Sequence, residues 1–406
     1  MDNGVNNMNN QNKKLIEPHG GKLVTLIVKN KEREKLIKEI DKNKIVRIST
    51  LEFSDLIMLG IGAFSPLEAF MIKKDYESIL KNMRLSNGVV WPIPVILSVS
   101  YSIANKLAVG DNILLSSPYD DEIVGQLNIE EIYIREVKKE SKVVFGTNDC
   151  NHPGVAKLLN SDNKYCLGGK VKVFSEGRYP KEFPQYARPD EVRKIFKEKG
   201  WSNITAFQTR NPIHRSHEYL TKIALEISDG LFIHPVVGEL KPGDIPAEVR
   251  IKCYEVLIEK YYPKNRVVFK VYPMEMRYAG PKEAVLHAII RQNFGCSHII
   301  IGRDHAGVGN YYRSFDAQDI FDQYNEKDLK IKPIKVDWAF WCLKCGQLAS
   351  KRTCPHPDKD HVLISGTKLR EMLSKGVKPS ETITRPEVAE ILVNYYQETL
   401  HKNNVN

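Results

Sequence analysis

The stretch FQTRNPIHRSHEYL, Phe207 to Leu220, carries the argument for the fold of this 406-residue chain. It sets Gln208, Thr209, Arg210 and Asn211 at the end of an apolar, strand-like run, then two histidines, His214 and His217, at the start of an amphipathic one. Asn211 before Pro212 reads as a helix start, because Asn is a strong N-cap and Pro suits the first helical position. His214 and His217 then fall one turn apart on a single face. The unpaired N–H groups and positive dipole of such a helix end favour an anion. Plainer readings of H-x-x-H are local hydrogen bonding or a metal, but a helical metal pair usually comes at i, i+4 with a carboxylate beside it.

Around this turn, strand-like and helical runs alternate. RPDEVRKIFKEKGW reads as helix, ITAFQT as strand, HRSHEYLTKIALEIS as helix, LFIHPVVG as strand and PAEVRIKCYEVLIEKYY as helix. RVVFKVYP, PKEAVLHAIIRQNFG and SHIIIGRD continue the pattern. Such alternation predicts βαβ units around a parallel sheet, in which ligands bind beyond the carboxyl ends of the strands. QTRN and GRDHAG both fall at such ends, so the two motifs should meet in one crevice. In the second, Gly302, Gly307 and Gly309 free the backbone, Arg303 brings a permanent charge and Asp304 can orient it. In ISGTKLR, Ser365 or Thr367 could cap a helix carrying Lys368 and Arg370.

The first 175 residues have a different rhythm. KLVTLIV, GVVWPIPVILSVS, GDNILLSS, EIVGQLNIEEIYI, SKVVFGT and KVKVFS predict short strands of a barrel or sandwich. STLEFSDLIMLGIGAFSPLEAFMIKKDYESIL interrupts them with helical periodicity, and Ser65-Pro66 within it reads as a helix start. The net charge of +10 suits anionic partners, although a Lys-rich solvated surface explains it as well. No run reaches the roughly 20 apolar residues of a membrane span. The Asn-rich start lacks the apolar core of a signal peptide, so a soluble, cytoplasmic protein is expected.

Three of the seven cysteines, Cys342, Cys345 and Cys354, crowd into one segment, which is metal-site usage. The span 342–361 is expected to hold one structural Zn²⁺ through these thiolates and a histidine. His356 is separated from Cys354 only by Pro355, whereas His361 follows a turn-forming segment and can fold back, so His361 is the expected fourth ligand.

Two arginines on separate loops, two histidines at a helix start and flexible glycines in one crevice suit nucleotidyl transfer, a reaction that concentrates negative charge. There is no Walker-type loop and no Ser or Cys nucleophile with a base beside it. These features leave the acceptor of the nucleotidyl group open. An RNA-binding protein is disfavoured, since the lysines are scattered and form no basic stripe with aromatics.

GAFSPLEAFM, WPIPVILSV, FQTRNPIHRSHE, GRDHAGVG and ISGTKLREML, in this order, closely resemble the ATP sulfurylase family of sulfate adenylyltransferases. The resemblance implies a PUA-like barrel over 1–175, a Rossmann-like nucleotidyltransferase domain over 176–337 and a small zinc-bearing, helical C-terminal region over 338–406. It implies conversion of ATP and sulfate to adenosine 5′-phosphosulfate and pyrophosphate, with Mg²⁺ on the nucleotide and without nucleic acid or membrane partners. By motif, Thr209, Arg210 and Asn211 take catalytic positions, and His214 and His217 stabilise the transition state. Gln208, Arg210 and the Ala306 backbone meet sulfate, Gly302, Arg303, Asp304 and His305 form the nucleotide loop, and Ala339 meets adenine. A homodimer or larger homo-oligomer is expected, monofunctional, without a fused kinase or a kinase-like regulatory extension.

Overall fold

The structure, a computed structural model, describes residues 14–41, 43–239, 244–363 and 366–405. Among these residues the strands form three sheets. The first, seven-stranded, gathers around the long strand Tyr165–Val173, which pairs antiparallel with Ala69–Phe70, Ser98–Val99, Ile123–Asn128 and Glu131–Ile134. KLVTLIV contributes an isolated bridge, Ile27 to Val173, and GVVWPIPVILSVS the short strand Ser98–Val99 and an isolated bridge from Val90 to Arg84.

Two expectations for this half are overturned. SKVVFGT is not a strand: Val137–Phe145 is a helix that buries Glu140, Ser141, Val144 and Phe145 on one face and ends at left-handed Gly146. Its helical period is tied down by Glu140, which accepts from Arg135 at 2.5 Å and from the Tyr76 hydroxyl at 3.0 Å. Ser65-Pro66 is a turn and not a helix start. The helices here are Thr50–Gly60, capped reciprocally by Ser49 and Glu52, and Lys73–Asn82.

The second sheet has the predicted alternation. After helix α1 (Pro189–Glu198) come β1 (Ile204–Phe207), α2 (Arg215–Glu226), β2 (Gly230–Ile233), α3 (Ala247–Tyr261) and β3 (Val267–Phe269). Then follow α4 (Pro281–Phe294), β4 (His298–Ile301) and β5 (Lys332–Lys335). All pairings are parallel, in the order β3-β2-β1-β4-β5. The strand order reverses between β1 and β4, and their carboxyl ends open the crevice of a doubly wound sheet there.

The third sheet is small: β6 (Ala339–Cys342) pairs antiparallel with β7 (Gln347–Ser350) and β8 (His361–Val362). The chain ends in α5 (Gly366–Ser374) and α6 (Pro386–Val405), parted by left-handed Gly376. Leu369, Leu373, Val388 and Leu392 share a core with Cys253, Tyr254 and Leu257 of α3. A larger core runs from the first domain into the other face of the parallel sheet. Among the described residues no helix is long and apolar enough to cross a membrane. Ser365 lies outside the described residues, as does the side chain of Thr367.

Candidate active site

The predicted residues Gln208, Thr209, Arg210, Asn211, His214, His217, Gly302, Arg303, Asp304, His305, Ala306 and Ala339 all line one crevice of about 990 Å³. Its floor is the switch point between β1 and β4.

The turn after β1 is held by its own side chains. The Thr209 hydroxyl accepts the Asn211 N–H at 3.0 Å and donates to the Asn211 carbonyl at 3.1 Å, and the Tyr254 hydroxyl donates to that carbonyl at 2.6 Å. Asn211 is therefore not the helix cap. Ile213 is buried in the core beneath, which draws the chain out for three residues before it coils, and His214 becomes the N-cap of α2. The His214 N–H donates to His217 Nδ1 at 3.3 Å and the two rings stack with centroids 6.1 Å apart. With Nδ1 occupied as an acceptor, a neutral His217 carries its proton on Nε2.

Burial sets the charge of these rings. It pulls His217 down to about 4 and, with His217 beside it, His214 down to about 3. Burial, with Arg291 and Arg210 nearby, likewise lowers His305 to about 3. The permanent charge comes from arginine. Arg210 lies 5.1 Å over the Tyr278 ring, with Nε 3.9 Å from Asp244, and Arg303 lies 3.9 Å over Trp338, with Nε 3.6 Å from Asp304.

The GRDHA loop owes its shape to residues other than its first glycine. Asp304 and Ala306 have φ of 56° and 55°, Gly309 has φ of 52°, while Gly302 and Gly307 keep ordinary backbone. A Cβ on Gly302 would meet nothing within 4 Å, so this glycine leaves space in the crevice. The Ala306 carbonyl accepts the Gly280 N–H at 3.1 Å. Left-handed non-glycine residues are uncommon and gather at functional sites.

Sequence reasoning missed Asp244, Tyr278 and Trp338, the groups against which the two arginines rest. It also missed the anchor of α2: Glu218 accepts from Arg385 at 2.7 and 2.9 Å and from Lys222 at 2.6 Å, and the Arg215 N–H donates to the Ile383 carbonyl at 2.9 Å. The acid that follows His217 in the motif was the signal for the first of these contacts.

In the cysteine segment, His356 and not His361 joins the thiols. Cys342, Cys345, Cys354 and His356 have ligand atoms within 4.8 Å of one another. His356 Nδ1 is 3.4, 3.2 and 3.7 Å from the three sulfurs, and Cys345 Sγ is 3.7 Å from Cys354 Sγ. A tetrahedron with Zn–S near 2.3 Å and Zn–N near 2.0 Å has edges of roughly 3.5–3.8 Å, so the donor set fits that ion. The chain turns at 351–353 and bends at His356, which lets Cys354 and His356 converge across Pro355. The His361 ring instead stacks on Phe340 at 3.6 Å, with Nδ1 3.3 Å from Asp358.

Comparison with known proteins bears directly on this site. Residues 184–395 match the family model described as ATP-sulfurylase, and residues 16–176 match a PUA-like domain. Sulfate adenylyltransferase from Desulforamulus reducens is 49% identical over 94% of this chain and 98% of that protein. The enzyme of the same name from Chlorobaculum tepidum is 50% identical over 94% and 95%, and that from Entamoeba histolytica 49% over 96% and 94%. A solved structure titled hexameric APS kinase from Thiobacillus denitrificans shares the fold, with a TM-score of 0.73 at 22% identity, over 94% of this chain and 68% of that one. With both crevice motifs inside the matched span and near-complete relatives at this identity, the chain belongs to the ATP-sulfurylase family.

Proposed function

We infer that this chain is a sulfate adenylyltransferase, which joins ATP and sulfate to give adenosine 5′-phosphosulfate and pyrophosphate. The carrying observation is the convergence of the QTRN turn, the His214–His217 helix start and the GRDHA loop on one crevice at the switch point. A sulfate oxygen attacks the α-phosphorus in line, the S–O–P bond forms, and the bond to the bridging oxygen breaks as pyrophosphate leaves with the electron pair. Sulfate is already a dianion at neutral pH, so no base is needed, and the protein's work is positioning and neutralising charge.

Arg210, with Gln208 and the Ala306 backbone, holds sulfate, the guanidinium offering a planar fork of donors that a lysine cannot copy. Thr209 keeps that fork in place by bracing the turn through Asn211. His214 and His217 act as neutral hydrogen-bond donors to the charge that develops on the transferred phosphoryl group. Gly302, Arg303, Asp304 and His305 seat the nucleotide's phosphates and ribose, and the strand start at Ala339 meets adenine. Mg²⁺ carried by the nucleotide would supply neutralisation of charge on its phosphates.

Zn²⁺ fits the Cys342, Cys345, Cys354 and His356 donors and, once bound, closes a tetrahedral structural site. The resemblance further supports domains over 1–175, 176–337 and 338–406 and a homodimer or larger assembly, the last measurable by sedimentation, while the polar, Asn-rich start supports a cytoplasmic location. Pyrophosphate release from ATP and Mg²⁺, with sulfate varied against molybdate and selenate, tests the activity. Release that is indifferent to sulfate would defeat it.

A further inference from the structure

Helix α4 carries Glu283, His287 and Arg291 at successive i, i+4 positions, all of them fully buried. A fully buried acid, imidazole and guanidinium on one stripe call for an explanation beyond packing. Arg291 does not pair with the acid. It donates to the His234 carbonyl at 2.8 Å and lies 4.3 Å over the Tyr272 ring. Glu283 is fixed by backbone: Oε1 accepts the Arg277 N–H and Oε2 the Ala279 N–H, each at 2.9 Å. The same Oε1 lies 3.6 Å from His287 Nε2, and His287 Nδ1 lies 3.0 Å from Nε2 of His305, in the GRDHA loop.

This geometry determines proton positions. Burial raises Glu283 from its ordinary value, and the Arg277 and Ala279 N–H groups and the Arg277 and Arg210 guanidinium groups pull against it. Burial, with Arg291 and Arg210 facing both rings, keeps His287 and His305 neutral. Of two neutral rings in contact, one donates and the other accepts. The Glu283 oxygen, 3.6 Å from His287 Nε2, is beyond hydrogen-bond reach, but its negative charge favours the proton on that nitrogen. His287 Nδ1 is then bare and accepts from His305 Nε2–H, which leaves His305 Nδ1 as an acceptor.

We propose that His287, backed by Glu283, is a positioning residue: it fixes the tautomer and ring orientation of His305 and so sets how the nucleotide loop meets its ligand. The need for such an anchor lies in the loop itself, where His305 stands between two left-handed residues, Asp304 and Ala306. The proposal rests on the reading of Gly302–Ala306 as the nucleotide loop.

The test combines ring-nitrogen NMR of ¹⁵N-histidine protein with kinetics of three variants. The free wild-type protein should show the His305 proton on Nε2, and a proton on Nδ1 overturns the proposal whether or not any variant folds. His287→Leu should raise the KM for Mg-ATP by roughly 10–100-fold, the scale on which loss of an outer-layer partner acts, with a smaller change in kcat. His287→Gln can accept from His305 and donate to Glu283, and it should restore most of the loss. Equal losses in the Leu and Gln variants, or a wild-type KM in the Leu variant, would mean packing only and refute the role. His305→Ala with unchanged Mg-ATP affinity would overturn the loop reading and this inference together, whereas weakened binding in His305→Ala beside a normal His287→Leu would overturn this inference alone.

Discussion

Replacing Arg210 by lysine isolates geometry from charge. Arg210 lines both the main crevice and an adjoining cavity of about 230 Å³ that also reaches Asp304 and His305, so it stands where the two cavities meet. The substitution keeps one positive charge opposite Asp244, 3.9 Å away, and removes the planar fork. A hydrogen bond to a charged group is worth about 1.5–3 kcal/mol, and loss of one such bond, at about 1.4 kcal/mol per decade, lowers kcat/KM for sulfate by roughly 10–100-fold. Arg210→Met removes the charge as well. One oxyanion donor alone supplies about 2.7–4 kcal/mol, and the buried Asp244 carboxylate would face the crevice without its cation, so a loss beyond roughly a thousandfold is expected. The assay is pyrophosphate release at fixed Mg-ATP with sulfate varied, beside a melting curve for each variant. Lysine keeps a cation opposite the buried Asp244 carboxylate, so the fold should persist. A lysine variant with near wild-type kcat/KM for sulfate would refute the assignment of the fork to the oxyanion.

His214→Asn and His217→Asn should each lower kcat more than Mg-ATP affinity, because a donor aimed at developing charge is felt in the transition state; turnover that survives while calorimetry shows lost binding would make them ground-state ligands. Stability should fall on acidification between about pH 6.5 and pH 3, because His214, His217 and His305 have folded values near 3 or 4, below their unfolded value of 6.5. In that window the unfolded chain binds more protons than the native one, so stability rises with pH; a melting temperature flat from pH 7 to pH 4.5 would contradict this burial. Chelation of the metal, or Cys345→Ser, should lower the melting temperature and weaken Mg-ATP binding, while His356→Ala and not His361→Ala should reduce the zinc measured by elemental analysis.

The nucleotide half was readable because its signals are local and agree: four-residue apolar strands, helices with one apolar face, and motifs at strand ends that the parallel-sheet rule brings together. What escaped was the content of other segments. Tyr278 supports Arg210 from 68 residues away, and no spacing rule connects them. The helix start at His214 was misplaced because N-cap preference at Asn211 competes with burial of Ile213, and tertiary packing wins over a capping preference worth about 1 kcal/mol. The Val-Val pair in SKVVFGT reads as strand by propensity, yet Glu140, Val144 and Phe145 match a helical face, a period that short runs do not disclose. The choice between two histidines turned on backbone direction after Cys354, which composition cannot express.

The Cys/His cluster and the crevice lie at two ends of one strand. β6 begins at Ala339, in the crevice, and ends at Cys342, in the thiol cluster. Side chains alternate across a strand, and the small sheet divides accordingly. Trp341, Leu348 and Val362 are cross-strand neighbours that line the crevice, while Phe340, which also reaches the crevice, joins Cys342 and Ala349 in the sheet's own buried cluster. Three residues bury too little apolar surface to hold three strands, and small units of this kind are stabilised by metal or disulfide. α2, which carries His217, packs on β6 and β7. The crevice wall at Trp341 and the packing behind the His217 helix therefore share one small sheet with the four clustered Cys and His residues. On the proposed zinc reading, removal of the metal should weaken nucleotide binding before it lowers turnover at saturating substrate.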